Sequence, residues 1–366
     1  MRALHIHAGP AALAHIREHG LRPEHIGVVP AAAGGPKGLI LGPLDRFIFG
    51  HWLPQSQQPV QLVGASIGAW RMATACLNEP LSAFARLERD YIHQHYELAP
   101  GQKRVTAEQV SRAFGQGLQD FYGGRVAEVL THPRYRLHVL TAHGRHVLAR
   151  EHPLLTPLGF AGASLSNALS RRSLGGWLER VVFSSQGALP LPQPLPFASD
   201  DFPTRQLPLT EANFMGAVQA SCSIPFAMQA VHDIAGAPPG AYWDGGITDY
   251  HLHLRWQTPS DRPEGRIVLY PHFQRQVVPG WLDKALRWRH RPTAALAHTV
   301  VLAPNPEWVR QLPNAKLPDR NDFFTYGQDL QARVQAWSAA TRAAQQLADE
   351  WAQWLERPDP GVVQAL

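Results

Sequence analysis

Two successive stretches of this chain follow one pattern: a short apolar run, a glycine-rich turn, then apolar residues at helical spacing. In the first, His25 to Val29 leads into AAAGGPKG, and Ile40, Leu44, Phe47 and Ile48 follow at intervals of a helix. In the second, Val60 to Val63 leads into GASIG and then AWRMATACL, which Asn78 and Pro80 stop. Strand–turn–helix units in series build parallel strands, because each helix carries the chain back to begin the next strand beside the last. The fold class expected is therefore α/β, a parallel-rich central sheet flanked by helices. Further strands are expected at Arg180 to Phe183, Ala241 to Trp243, Arg266 to Tyr270 and Thr299 to Leu302, and YRLHVLTAHGRHVL reads as a hairpin. The sheet then has six or more strands.

The remaining segments read as helix or loop. From Leu81 to Gly123, Val110, Phe114, Leu118 and Phe121 form one helical stripe, and Thr106 and Gln109 are spaced as a capping box. The run from Gln186 to Pro208 is proline-rich and is expected as an extended surface loop. Asp322 to Arg357 is expected as one long helix, giving an α/β domain over 1–310 and a helical extension docked on it over 311–366.

With 45% hydrophobic and 17% charged residues in 366, the chain is globular and not disordered. A net charge of +5 mildly favours anionic partners. Its two cysteines, Cys76 and Cys222, indicate neither a disulfide framework nor a cysteine zinc site. The first residues lack a secretory pattern and no apolar stretch is long enough to span a bilayer, so a cytoplasmic protein is expected.

Gly64-Ala65-Ser66-Ile67-Gly68 is a G-x-S-x-G pentapeptide set between a strand and a helix. That context lifts a serine hydroxyl above the sheet on a sharp turn, and the helix start behind it favours developing negative charge. GGPKG, at the end of the preceding strand, supplies the consecutive amides of Gly34 and Gly35, which can point at an oxyanion. It lacks the ending of a nucleotide-binding P-loop, and G-x-G-x-x-G is absent there. In Trp243-Asp244-Gly245-Gly246 an apolar strand ends in an aspartate followed by two glycines, which let backbone approach closely.

In this order, the glycine loop, the elbow and the aspartate motif resemble the patatin-like phospholipase family across roughly Ile26 to Asp249. The resemblance implies a three-layer fold and a serine–aspartate dyad, with Ser66 as nucleophile and Asp244 as base. It places the oxyanion hole at Gly34, Gly35 and Gly38, with Gly64, Gly68, Gly245 and Gly246 shaping the elbow and base motif. It further implies fatty-acyl esters of phospholipids or related lipids as substrates, peripheral contact with a membrane surface, and no metal, cofactor or nucleic acid. An esterase or acyltransferase would use the same dyad, and a weakly catalytic lipid- or protein-binding member would keep the fold. ASCSIPFAMQAV, at Ala220 to Val231, resembles a family segment that shapes the pocket. Ala33 stands where many members carry a further glycine, and Thr248-Asp249-Tyr250-His251 replaces the Asn-Pro often found after the aspartate motif.

Other signals carry less. His132, His138, His143, His146 and His152 cluster without metal-ligand spacing. Asp249 and His251 read as solvated loop positions. In WLDKALRWRHR, Trp281 and Trp288 alternate with Lys284, Arg287, Arg289 and Arg291, either as an anionic-lipid contact or as a basic surface helix with buried tryptophans. The enzyme alternative is an α/β-hydrolase whose triad uses a late histidine, His272 or His298.

Overall fold

In a computed structural model, which describes residues 1–98, 101–102, 104–187 and 194–366, the chain is an α/β protein built on one large, mostly parallel sheet. Its strands are β1 Leu4–Ala8, β2 Ile26–Ala31, β3 Val60–Ala65, β4 Tyr135–Gly144, β5 Leu178–Ser184, β6 Thr204–Pro208, β7 Val231–His232, β8 Ala241–Asp244, β9 Ile267–Pro271, β10 Thr299–Pro304 and β11 Gln364–Ala365. The order across the sheet is β11-β1-β10-β9-β2-β3-β4-β5-β6, with β7 and β8 off this path. The central run β10, β9, β2, β3 and β4 is parallel throughout.

The alternation of β3 shows why the sheet is covered on both faces. Val60 and Leu62 enter the main core cluster, whereas Val63 and Ala65 enter a second cluster on the opposite face. Successive strand residues point to opposite sides, so a strand with apolar residues on both sides needs a layer of structure on each face. Fully burying a Leu or Val side chain contributes about 1.5–3 kcal/mol, and both faces of β3 gain it. The helix Ile67–Ala75, which follows the serine, is buried at every residue.

Four sequence expectations change. The segment expected as a hairpin is one ten-residue strand, β4, buried throughout and followed by a 3-10 turn at His146–Leu148. Gly144 does not reverse the chain; it lets the Leu148 carbonyl approach so closely that a Cβ there would lie 1.9 Å from it. Residues 204–208, expected as loop, form the edge strand β6, where the flanking prolines are tolerated because one side lacks a partner. Much of the proline run at 190–196 lies outside the described residues. The helical spacing after the first glycine turn is met by a 3-10 segment at Gly35–Leu41, a short α-helix at Gly42–Phe47 and a π-helical turn at Ile48–Trp52 in place of one regular helix.

The long C-terminal helix is three pieces, Asn321–Thr325, Leu330–Ala343 and Gln345–Glu356. Gly327 takes a left-handed φ of 54°, and the Asp329 carboxylate accepts the Ala332 amide at 2.9 Å to restart the helix. Leu347 and Trp351 join the main core cluster, the Glu350 carboxylate accepts the Ala3 and Leu4 amides, and β11 pairs in parallel with β1. The Thr106–Gln109 capping box forms as expected. Among the described residues no helix is long and apolar enough to cross a membrane.

Candidate active site

The register of β4 brings the candidate site together. Its first residues pair with β3 up to Ala65 opposite Leu140, and its overhang pairs with β8 from Tyr242 opposite His143 to Asp244 opposite Thr141. The other edge of β4 is taken by β5 along the whole of this stretch. Strands β3 and β8 therefore share one lane and meet head-on. Ser66 leaves the end of one and Asp244 closes the other. Asp244 ends a short antiparallel strand off the main path, so its place comes from β4's length and not from the parallel-sheet rule.

Ser66 sits at φ 57° and ψ −130°, a backbone conformation rare for any residue with a side chain. The turn is enforced by crowding: a Cβ on Gly68 would stand 1.9 Å from the Ala31 carbonyl oxygen, so only glycine lets the elbow pass the end of β2. Gly64 is closed in by the backbone of Ala69 and Gly245 by the Leu140 carbonyl.

The Ser66 hydroxyl donates to Asp244 Oδ2 at 2.7 Å, and the other oxygen, Oδ1, accepts the Gly246 amide at 2.7 Å. Both residues are buried, at 3% and 6% exposure. Burial raises the Asp244 carboxyl above its ordinary pKa, although the hydrogen bond from Ser66 and the charge of Arg320 pull the other way. A desolvated carboxylate is a stronger base, which is what direct proton abstraction from a serine needs.

The segment expected to shape the pocket does more than that. The Ser66 amide donates to Ser221 Oγ at 2.9 Å, and Ser221 Oγ donates to the Leu140 carbonyl at 2.7 Å. The amides of Asp244 and Gly245 donate to the carbonyls of Ser223 and Ser221. Residues 221–223 thus hold the elbow and the base motif at once. Only the flanking small residues in the sequence pointed to such a clamp.

The glycine loop follows β2 into the same corner. Gly34 and Gly35 take φ of 155° and 58°, and a Cβ on Gly38 would touch the Ile67 side chain at 3.3 Å, so the loop is packed on the elbow helix. The first amides of a helical segment have no partner within it, so Gly35 and Ile67, which open their segments, carry amides free of intrahelical bonds. Ala33 cannot join them, because its amide donates to the Tyr250 carbonyl at 2.9 Å. Its methyl lies where a Cβ on Gly246 would have to go, at 2.6 Å.

Arg320 gave no sequence signal. Its Nε lies 3.3 Å from where a Gly35 Cβ would be, and its charge acts on Asp244.

Asp249 and His251, expected on a solvated loop, are each 1% exposed. Asp249 pairs bidentately with Arg180 at 2.8 and 2.7 Å, and Arg180 reaches Asp201 on its other side. Burial alone would lower the Arg180 pKa, but the Asp249 and Asp201 carboxylates more than offset it. Arg171 joins Asp249 to Asp283, which also pairs with Arg289. The aspartate motif therefore rests on a buried charge network.

Among the described residues no histidine is hydrogen-bonded to Ser66 or Asp244. His272 Nδ1 is engaged by the backbone of Gln274, and burial lowers its pKa to about 3. His138 lies between Ser184 and Gln61, and His143 between Glu179 and Pro239. Cys222 is packed beside the dyad with its thiol pKa pushed up by burial, and Cys76 is fully buried.

WLDKALRWRHR forms two short 3-10 turns at Trp281–Asp283 and Arg287–His290 in place of one helix, with Trp281 40% and Trp288 63% exposed. Compared with family models, with curated proteins and with solved structures, the chain matches none.

Proposed function

We propose that the chain is a serine acyl hydrolase of the patatin-like type, cleaving fatty-acyl esters of phospholipids or related lipids through an acyl-enzyme on Ser66. The observation that carries this reading is the 2.7 Å hydrogen bond from a serine on a strained elbow to a buried carboxylate with a raised pKa.

Asp244 Oδ2 takes the hydroxyl proton as Ser66 Oγ bonds to the ester carbonyl carbon. Negative charge gathers on the carbonyl oxygen, facing the amides of the glycine loop and of Ile67; a single such donor is typically worth about 3–4 kcal/mol. The carbon–oxygen bond to the alcohol breaks, and Asp244 returns the proton to the departing oxygen. Water then repeats the sequence: it gives a proton to Asp244, attacks the acyl carbon and releases the acid and the free serine.

A lipid substrate is supported by the helix Leu155–Leu169. Its outer face exposes Leu158 at 66%, Leu165 at 72% and Leu169 at 88%, and Arg289 bonds the Ala168 carbonyl to join this face to the Trp288 turn. Exposed leucines beside tryptophan and arginine suit a headgroup–acyl boundary. A fluorophosphonate probe tests the reading: it should label wild type and not Ser66→Ala, and a panel of lipid esters should be hydrolysed by wild type alone. Labelling that survives in Ser66→Ala would sink it.

A further inference from the structure

A cavity of about 680 Å³ lies between the glycine loop and the 274–296 segment. Lys37 stands on its wall from the loop, and Arg275, Lys284, Arg287 and Arg291 from the later segment. No Asp or Glu lines it.

These cations differ from three arginines that are tied into ion pairs. Arg71, Arg180 and Arg289 each meet a carboxylate at 2.8 Å or closer. Among the described residues, three of the five cavity cations are held by aromatic faces and a carbonyl, and the charge of Asp319 also acts on Lys37. Lys284 Nζ sits 4.0 Å above Tyr250, Lys37 Nζ 5.3 Å from the Phe273 ring centre, and Arg275 donates to the Ala365 carbonyl at 3.1 Å. Like charges gathered around one space raise each other's energy, and an anion placed among them removes the repulsion.

Two further features support a built site. Lys284 lies on the surface, yet enough protein surrounds its ammonium group for burial, with Lys37 and Arg320 nearby, to lower its pKa to about 8. His251, also on the wall, has its Nδ1 engaged by Val278 and Gln276, while its buried Nε2 has no partner among the described residues. The cavity is joined to the chemistry by chain as well as by field. Lys37 is two residues from Gly35, Tyr250 ends the short helix after Asp244, and the charges of Lys284 and Asp244 act on each other.

We propose that this cavity receives a phosphate group carried on the alcohol part of the ester, so that the enzyme selects phosphate-bearing esters over neutral ones of equal acyl length. A volume near 680 Å³ holds a phosphate with its attached polyol, within the usual range of ligand pockets. Charge-assisted bonds from several Lys and Arg side chains are the common means of holding phosphate. The proposal rests on the acyl-hydrolase reading for its chemistry, but the cavity's affinity for phosphate does not.

The test compares butanoyl glycerol with butanoyl glycerol 3-phosphate, in wild type and in Lys284→Met/Arg287→Gln/Arg291→Gln. Wild type should favour the phosphorylated ester at least tenfold in kcat/KM, through a lower KM, and the triple variant should bring the ratio close to one. Where the triple variant does not fold, Arg287→Glu, an exposed position, is measured for the same fall in ratio. Calorimetric titration with inorganic phosphate and with glycerol 3-phosphate runs alongside, using Ser66→Ala. Both anions should bind, glycerol 3-phosphate at least tenfold more tightly, and the three cavity substitutions should abolish the binding.

If esters are turned over without preference, or the preference survives the substitutions, the cavity assignment is overturned while the hydrolase stands. Phosphate binding lost on substitution, with no ester cleaved, upholds the anion site and overturns the hydrolase. Inorganic phosphate binding as tightly as glycerol 3-phosphate overturns the headgroup role in favour of a free anion.

Discussion

Ser66 and Asp244, 178 residues apart in sequence, are joined by a 2.7 Å hydrogen bond at the point where two strands meet end to end along the same edge of β4. The dyad is therefore a property of three strands' register, and its chemistry can be probed apart from its architecture.

Replacing Asp244 with Asn removes the base but keeps the shape and the acceptor for the Gly246 amide. Turnover should fall by about a thousandfold or more, as it should for Ser66→Ala. Alanine at His272 or His298 should leave kcat/KM within about fivefold of wild type, since neither ring reaches the dyad. A histidine variant as inactive as Ser66→Ala would replace the dyad with a triad.

The pH dependence follows from the raised pKa of Asp244. The base works ionised, so kcat/KM should be high at neutral pH and be lost as pH falls through an apparent pKa above the ordinary carboxylate range near 3.9. Stability has the opposite sign. The folded state holds this proton more tightly than the unfolded state, so ionising Asp244 destabilises the fold once pH rises above the unfolded value. Asp244→Asn should therefore have a higher Tm than wild type at pH 8, with the gain shrinking in acid. A lower Tm at pH 8, in a variant that still folds, would contradict this.

Ser221 is the residue most in need of a test, since it both accepts from the Ser66 amide and donates to β4. Ser221→Ala leaves the Ser66 amide without its partner, and an unsatisfied buried group costs about 1–3 kcal/mol. Chemical denaturation should show that loss. kcat should fall about tenfold with little change in KM, because Ser66 loses its exact placement and substrate contacts remain.

Asp249→Ala leaves Arg180 buried with one carboxylate in place of two. Breaking a buried pair by removing one partner costs about 3–5 kcal/mol, which a denaturation midpoint reads directly. Removing Arg255, whose pair with Asp200 is exposed on both sides, should leave the denaturation midpoint close to that of wild type.

Leu158→Ser, Leu165→Ser and Leu169→Ser together should leave Tm within a few degrees of wild type, because these side chains are already in water. Co-sedimentation with anionic vesicles should drop at least tenfold. Unchanged vesicle binding would detach the leucine face from the lipid proposal.

The sequence disclosed what depends on local grammar. Strand–glycine–helix units foretold the parallel sheet, and the strand–serine–helix context foretold the elbow, because a turn that tight leaves its mark in Gly64 and Gly68. Asp244 was legible through its two glycines. What was hidden depends on distant pairing. Asp249 looks like a loop aspartate until Arg180 arrives from β5, and Arg320 enters the site from the other end of the chain. The hairpin expectation failed because alternation cannot distinguish two short strands from one long strand buried on both faces. The unbroken C-terminal helix failed because the apolar spacing that suggested it, from Leu330 to Trp351, begins only after Gly327 and continues in phase across the interruption at Ala344.

The overhang of β4 has one more consequence, for how such a chain can change. Pairing along a strand shifts only in whole residues, each about 3.3 Å, and a shift by one turns every side chain to the opposite face. Ser66 and Asp244 both read their positions from the same ruler, with Leu140 and Thr141 as adjacent marks. An insertion in β3, β4 or β8 cannot be absorbed by degrees: either the marks stay aligned or the two groups part by more than a hydrogen bond can span. Loops elsewhere are free to lengthen, so growth and loss in this chain are confined to them.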